Sequence, residues 1–357
     1  MNPSVALVVA LLLLTALLAL LTLAMAARKA LRQVADRRRA DLEARLRPAV
    51  LAMLAQDEPD LSALPVLGRG GGPVLVEVVT GLLRKLRGED RAVLVRLLEG
   101  RGVLEAARRR TYRPGALGRA RAAALLGTAG VQRALPELAR LLRDRDPEVR
   151  AVAARALGKL GDPGATPFLL AALEEPRPLP ASLVSMALLH IGPPAAEPLR
   201  AGLGSPAANA RTVSLELLGL FGLTPAADDI VATLRSDPAP EVRVAAARAL
   251  GRIGSPRPVP ALAACLGVDR PAALRAAAAT ALGAIGDPGA APALEQGLVT
   301  RNTVVVRACA GALARLGPDG VAVLERAAAR AGRAGPYADE ALATVAPAAA
   351  GRAPAWT

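Results

Sequence analysis

The sequence predicts an all-α fold: a single N-terminal transmembrane helix followed by an α-solenoid of stacked helix pairs. Three observations carry this prediction. Residues 5–27, VALVVALLLLTALLALLTLAMAA, hold no charged side chain, and Arg28-Lys29 follows at once. About 20 apolar residues span a bilayer core. A glycine closes a helical pattern at Gly130, Gly161, Gly192, Gly222, Gly254, Gly286 and Gly317, at intervals of 31, 31, 30, 32, 32 and 31 residues. Such a period is the signature of a repeat array. Aromatic side chains are nearly absent: Phe168, Phe221, Tyr112, Tyr337 and Trp356 are the full set. A compact core leans on aromatics for buried area, whereas thin, closely packed helices do not need them.

The apolar segment reads as an uncleaved anchor. Ala24-Met25-Ala26 has the small residues of a cleavage site. Against cleavage, Met1-Asn2-Pro3-Ser4 carries no Lys or Arg, and the apolar run exceeds the core of an ordinary signal peptide. Beyond it come Arg28, Lys29, Arg32, Arg37, Arg38 and Arg39, and positive flanks stay on the cytoplasmic side. The expectation is a single-pass protein of the inner (cytoplasmic) membrane, with its C-terminal body in the cytoplasm. The net charge of +14 is uneven. Residues 28–121 hold 21 basic and 11 acidic side chains, and residues 122–357 hold 24 and 20. Basic charge near the membrane suits anionic lipid headgroups.

Past the membrane, Leu31, Val34, Leu42, Leu46, Val50 and Leu54 form an apolar stripe at helical spacing. The stripe either packs on the first repeats or forms a seam with a partner, and Pro48 is expected to kink or interrupt it. The expected organisation is an external N-terminus (1–4), the membrane helix (5–27), a basic amphipathic juxtamembrane helix (28–56) and degenerate helical capping repeats (57–114). The repeat array follows over 115–330, then a cap helix (331–346) and a disordered tail (347–357). Gly68 to Gly72, with Arg69, reads as a loop; no Gly-Lys-Ser/Thr follows, so it is not a phosphate-binding loop.

Each repeat explains itself. Helix A starts after Asp-Pro or Pro, which suits a first helical position. It ends in a Leu-Gly-x-Leu/Ile-Gly run, since glycine tolerates the left-handed conformation. Asp-Pro-Gly at 162–164 and 287–289 makes a tight turn into helix B. One pair cannot bury its own apolar face; stacked pairs share a continuous core. The units are DPEVRAVAARALGKLGDPGATPFLLAALEE (146–175), PEVRVAAARALGRIGSPRPVPALAACLG from Pro240, and RPAALRAAAATALGAIGDPGAAPALEQGLV (270–299). These runs resemble HEAT repeats, in the short bacterial form also seen in phycobilin-lyase-like proteins. The resemblance implies an α-solenoid that serves as a protein-binding scaffold, and it does not imply lyase activity.

Candidate chemistry is sparse. His190, the single histidine, stands where Lys159, Arg252 and Arg315 stand in other units. It is expected to be solvated, and no Ser-His-Asp arrangement can be built on it. Cys265 and Cys309 read as buried small apolar groups; too few Cys and His exist for a zinc site of ordinary type. Arg119, Arg150, Arg211, Arg243 and Arg275 lie eleven residues before the repeat glycine. They form either a basic ladder for an acidic partner or a structural ladder bonded to turn carboxylates and carbonyls. The register favours the structural ladder.

Helix B is the expected docking face. Its core positions lie five, eight and eleven or twelve residues after the glycine. Pro167, Phe168, Leu170 and Ala171 are then outward in one unit, and Pro260, Ala261, Ala263 and Ala264 in another. Phe168, Leu170, Ala261 and Ala264 are the candidate protein-binding residues, with Phe168 the main anchor or else packed under its neighbour. Three functions stay open: a membrane-anchored protein scaffold serving a membrane enzyme complex, with no cofactor; a nucleic-acid-binding solenoid using the basic 84–121 region; and a lyase-like enzyme. The second lacks stacking platforms, since only Tyr112 interleaves with Arg108-Arg109-Arg110, Arg113, Arg119 and Arg121. The third would have to draw on the outward helix-B positions Glu137, Asp228, Asp229 and Glu295, scattered over different units.

Overall fold

The computed structural model describes residues 3–56, 61, 71–174, 176–330 and 332–350, with the side chains of 3–16, 35 and 346–350 outside the described set. Among the described residues there is no strand. The chain divides into two compact units, Met1–Ala106 and Ala107–Thr357.

The first unit contains α1 (Pro3–Leu54), α2 (Gly71–Leu83) and α3 (Gly88–Gly100). The apolar stripe of α1 serves two roles along its length. Leu46, Val50 and Met53 are buried, and α1 packs on α2, whose Leu75, Val79 and Leu83 are buried too. Arg39 pairs with Glu77 across the same contact. Leu31 and Val34, on the basic stretch, are exposed. Pro48 lies inside α1, so the helix is not interrupted there. Both Pro48 and Ala44, whose carbonyl would otherwise accept from residue 48, are exposed. Among the described residues no helix is long and apolar enough to cross a membrane. The expected 5–27 span lies partly outside them: only Leu17–Ala27 has described side chains, and Arg28 and Lys29 follow. The expected glycine loop also falls largely on residues 62–70, outside the described set, and Gly71 and Gly72 belong to α2.

Helix α4 (Val103–Arg110) contains the division between the units. In the second unit the A helices are α5 (Ala116–Ala129), α7 (Pro147–Leu160), α9 (Ala181–Ile191), α11 (Ala208–Leu220), α13 (Pro240–Ile253), α15 (Ala272–Ile285) and α17 (Thr303–Leu313). The B helices alternate with them: α6 (Leu135–Leu141), α8 (Thr166–Ala171), α10 (Ala196–Gly202), α12 (Ala227–Ser236), α14 (Val259–Ala264), α16 (Ala291–Gly297) and α18 (Pro318–Ala329). A helices stack on A helices, and α6, α8, α10, α12, α14 and α16 each pack on the A helix that follows. The array closes on α19 (Gly335–Ala350). That helix passes the expected end at 346, and residues 351–357 lie outside the described set.

Local chemistry sets the boundaries. Asp146 accepts from the amides of Glu148 and Val149 and so caps α7. Asp162 and Asp287 accept from the amides of Gly164 and Gly289 at 2.8 Å, which holds the A-to-B turns. Gly130, Gly161, Gly254 and Gly286 end their A helices at φ between +72° and +75°, a conformation costly for any residue with a Cβ.

A second glycine sets how closely the A helices approach. Gly127, Gly158, Gly219, Gly251 and Gly283 each face an alanine of the next A helix: Ala156, Ala187, Ala249, Ala281 and Ala312. A Cβ at Gly158 would lie 2.7 Å from the Ala187 Cα. One joint departs from this rule. Leu189 and Leu217 hold the glycine and alanine positions between α9 and α11, and these two helices share the sparsest A-on-A packing in the array.

Candidate protein-docking groove

The Arg ladder is built into the framework. Arg119 in α5 donates to both carboxylate oxygens of Asp144, at 2.7 and 2.8 Å, in the turn before α7. Arg211 in α11 does the same to Asp237 before α13, at 2.7 and 2.9 Å, with both side chains buried. Arg150 donates to the carbonyls of Asp144 and Arg145, Arg211 to those of Ser205 and Pro206, and Arg275 to that of Leu266. These four arginines lock turns to a helix, the structural alternative, whereas the buried Arg243 Nε makes no hydrogen bond among the described residues. At the start of α9 the position is held by Ala181, so the joint without the Gly–Ala pair also lacks its arginine. The Arg119 hydrogen bonds hold the Asp144 carboxyl below the usual range, against the opposing effect of burial. Burial pushes Asp237 up, but its hydrogen bonds from Arg211 and the Ala239 amide prevail and hold it low.

Beside this framework lies a groove of about 750 Å³, lined by α6, α8 and the turns that follow them. Pro136, Ala139, Leu142 and Ala171 give it an apolar surface. Phe168 stands on α8 and is 44% exposed. Of the arginines at the groove, Arg140 donates to the Thr111 carbonyl at 2.6 Å and lies 4.2 Å over the Tyr112 ring.

The structure sorts the sequence candidates. Phe168 and Ala264 face solvent. Leu170 and Ala261 do not: they are 5% and 6% exposed, a correction to their expected outward placement. B helices stack side by side, so each has a flank as well as an outer face. Leu170 fills the space that Gly202 of α10 leaves open, and α14, which carries Ala261, packs against the turn Pro288–Ala290. Glu137, at the same register as Ala261, is also buried, and accepts from Arg108 at 2.8 Å. Asp229 pairs with Arg200 at 2.7 Å, Asp228 with Arg257 at 3.7 Å and Glu295 with Arg326 at 3.5 Å.

His190 is exposed, its Nδ1 2.7 Å from the Met186 carbonyl oxygen. Cys265 and Cys309 are buried; burial pushes the Cys309 thiol up to about 12, which removes the thiolate needed for reactivity. Among the described residues no three His, Cys, Asp or Glu side chains cluster to hold a metal. Arg28, Lys29, Arg32, Arg37, Arg38 and Arg39 are all exposed on α1. Sequence reasoning missed Arg143 and Arg177, which also line the groove. Their only signal is an arginine in a B-to-A turn, outside the repeat register.

Two stacked layers of paired helices, locked by a turn-to-helix arginine ladder, define an α-solenoid. The model of HEAT repeats matches residues 104–189, 196–276 and 268–335, and the chain belongs to the HEAT-repeat family. A search of curated proteins finds no match. Among solved structures, a triple mutant of Kap121p is similar at 13% identity with a TM-score of 0.52, over 84% of this chain and 41% of that one. Kap121p bound to Nup53p matches at 12% identity and TM-score 0.52, over 80% and 37%. Human deoxyhypusine hydroxylase in complex with glycerol matches at 22% identity but a TM-score of 0.31, over 86% and 98%. The chain thus spans about two-fifths of Kap121p, and the likeness to Kap121p concerns the fold alone.

Proposed function

We propose that this protein is a non-catalytic scaffold, tethered to the inner membrane of a bacterium, whose HEAT array gathers protein partners at the cytoplasmic face. The reading extends to a membrane enzyme complex as client and to anionic lipid as the partner of Arg28 to Arg39. The observation that carries it is the sequence of surfaces along α1. Leu17, Leu18, Leu20, Leu21, Leu23 and Met25 are exposed, the uncharged run extends back to Val5, and an exposed basic stretch follows. A helix that presents leucine on all sides to water would be unstable, and lipid removes that cost. The basic stretch adds about 1 kcal/mol per cation near an anionic surface.

Protein binding is supported by the groove at Phe168, because aromatic anchors dominate interface energetics. Kap121p, which shares the fold, is recorded bound to Nup53p. Crosslinking mass spectrometry in intact membranes tests the reading. A specific protein crosslinked to the B-helix side of the array is expected; recovery of none would overturn it.

A further inference from the structure

The groove between α6 and α8 carries charge that the repeat does not use. Arg140 is bonded to the Thr111 carbonyl and covers Tyr112, and Arg150 holds two turn carbonyls. The carboxylates at the groove are engaged as well: Asp144 by Arg119, and Glu174 by the Ser205 hydroxyl at 3.2 Å. Arg143 and Arg177 remain. Both are exposed, both line the groove, and neither guanidinium is engaged by an ion pair or hydrogen bond with a described residue. Neither occupies the ladder register, so the fold does not require a cation at either place. Phe168 is exposed at the same groove, among Pro136, Ala139, Leu142 and Ala171.

We propose that this groove docks a short acidic peptide segment of a protein partner, with carboxylates on Arg143 and Arg177 and an apolar side chain against Phe168. The proposal rests on the scaffold reading and names the chemistry of the partner. Three features favour this occupant. A groove of about 750 Å³ lies in the size range that encloses a small ligand or a few residues. A guanidinium matches a carboxylate in bidentate geometry. Asp144 and Glu174 also line the groove. A peptide can space its charges around them and place an apolar residue between, which the evenly spaced phosphates of a nucleic-acid backbone cannot.

The test uses the full-length protein in detergent micelles and a fluorescent heptapeptide with two glutamates on each side of a Leu-Phe-Leu centre. A matched peptide carries glutamine for glutamate. Fluorescence anisotropy should show the glutamate peptide binding at least about tenfold tighter than its match, with an affinity that falls with salt. R143E/R177E should weaken it by about tenfold, a change of 1.4 kcal/mol. R252E/R315E alters net charge equally at exposed sites elsewhere in the array and should change affinity less than about twofold. Phe168→Ala should weaken both peptides by a similar factor and leave the salt dependence alone.

Equal losses from the two double reversals would overturn the proposal. So would displacement of the peptide, at equal concentration, by a single-stranded oligonucleotide of the same charge. All variants lie at exposed positions, and circular dichroism establishes that they fold. Crosslinking in membranes separates the two levels of the account. A partner recovered equally by wild type and R143E/R177E contradicts the groove alone; no partner from wild type contradicts the scaffold.

Discussion

Gly158→Ala and Gly311→Ala make the same chemical change within A helices, and the structure predicts opposite signs. At Gly158 the new methyl would lie 2.7 Å from the Ala187 Cα, 2.8 Å from its carbonyl oxygen and 3.1 Å from its carbonyl carbon. All three are backbone atoms and cannot rotate away. Restoring a contact of ~3.5 Å requires α7 and α9 to part by about 0.8 Å. Overpacking of this kind costs about 1–3 kcal/mol, and backbone contact places it at the upper end. Helix propensity returns about 1 kcal/mol, which leaves Gly158→Ala destabilising by about 2 kcal/mol. At Gly311 the methyl meets nothing within 4 Å, so Gly311→Ala should stabilise by about 1 kcal/mol. Urea unfolding of the full-length protein in detergent, followed by far-ultraviolet circular dichroism, reads both. A midpoint raised by Gly158→Ala as much as by Gly311→Ala would refute the claim that glycine sets helix spacing.

Arg211→Ala should cost about 3 kcal/mol in the same assay, because it leaves Asp237 charged and buried without its partner; adding Asp237→Ala should restore part of that loss. Asp144 and Asp237 are held below the usual carboxylate range, so the folded state binds fewer protons than the unfolded state as pH falls. Their contribution should be complete above the unfolded value of about 3.9 and fade as pH drops through their folded values. A urea midpoint measured from pH 7 to pH 3 should fall steeply at the acid end, and less steeply in D144N/D237N. The α9–α11 joint lacks both the Gly–Ala pair and the ladder arginine, so hydrogen exchange in α9 should outpace that in α7 and α13; equal protection would contradict it.

The repeat was legible because its chemistry is local. Asp-Pro at a helix start, glycine at a helix end and Asp-Pro-Gly between helices each act within a few residues, and they recur. The structural role of the Arg ladder was legible for a related reason: a position that tracks the period serves the period. What depends on neighbours was not. Leu170 looks outward from the pattern of α8 alone, and only the adjacent α10, with Gly202 opposite, covers it. Glu137 and Ala261 fail in the same way. Arg143 and Arg177 escaped because a groove between neighbouring repeats has no periodic signature, and two solitary arginines in turns resemble any solvated charge.

The tether is the claim on which the rest turns. Cells expressing the full chain can be fractionated, the membranes washed at alkaline pH, and spheroplasts exposed to protease. The account predicts full-length protein in the washed membrane pellet, the repeat array protected until the spheroplasts are lysed, and release into the soluble fraction when residues 1–27 are deleted. Full-length chain in the soluble fraction, or a product trimmed near Ala26, would contradict it.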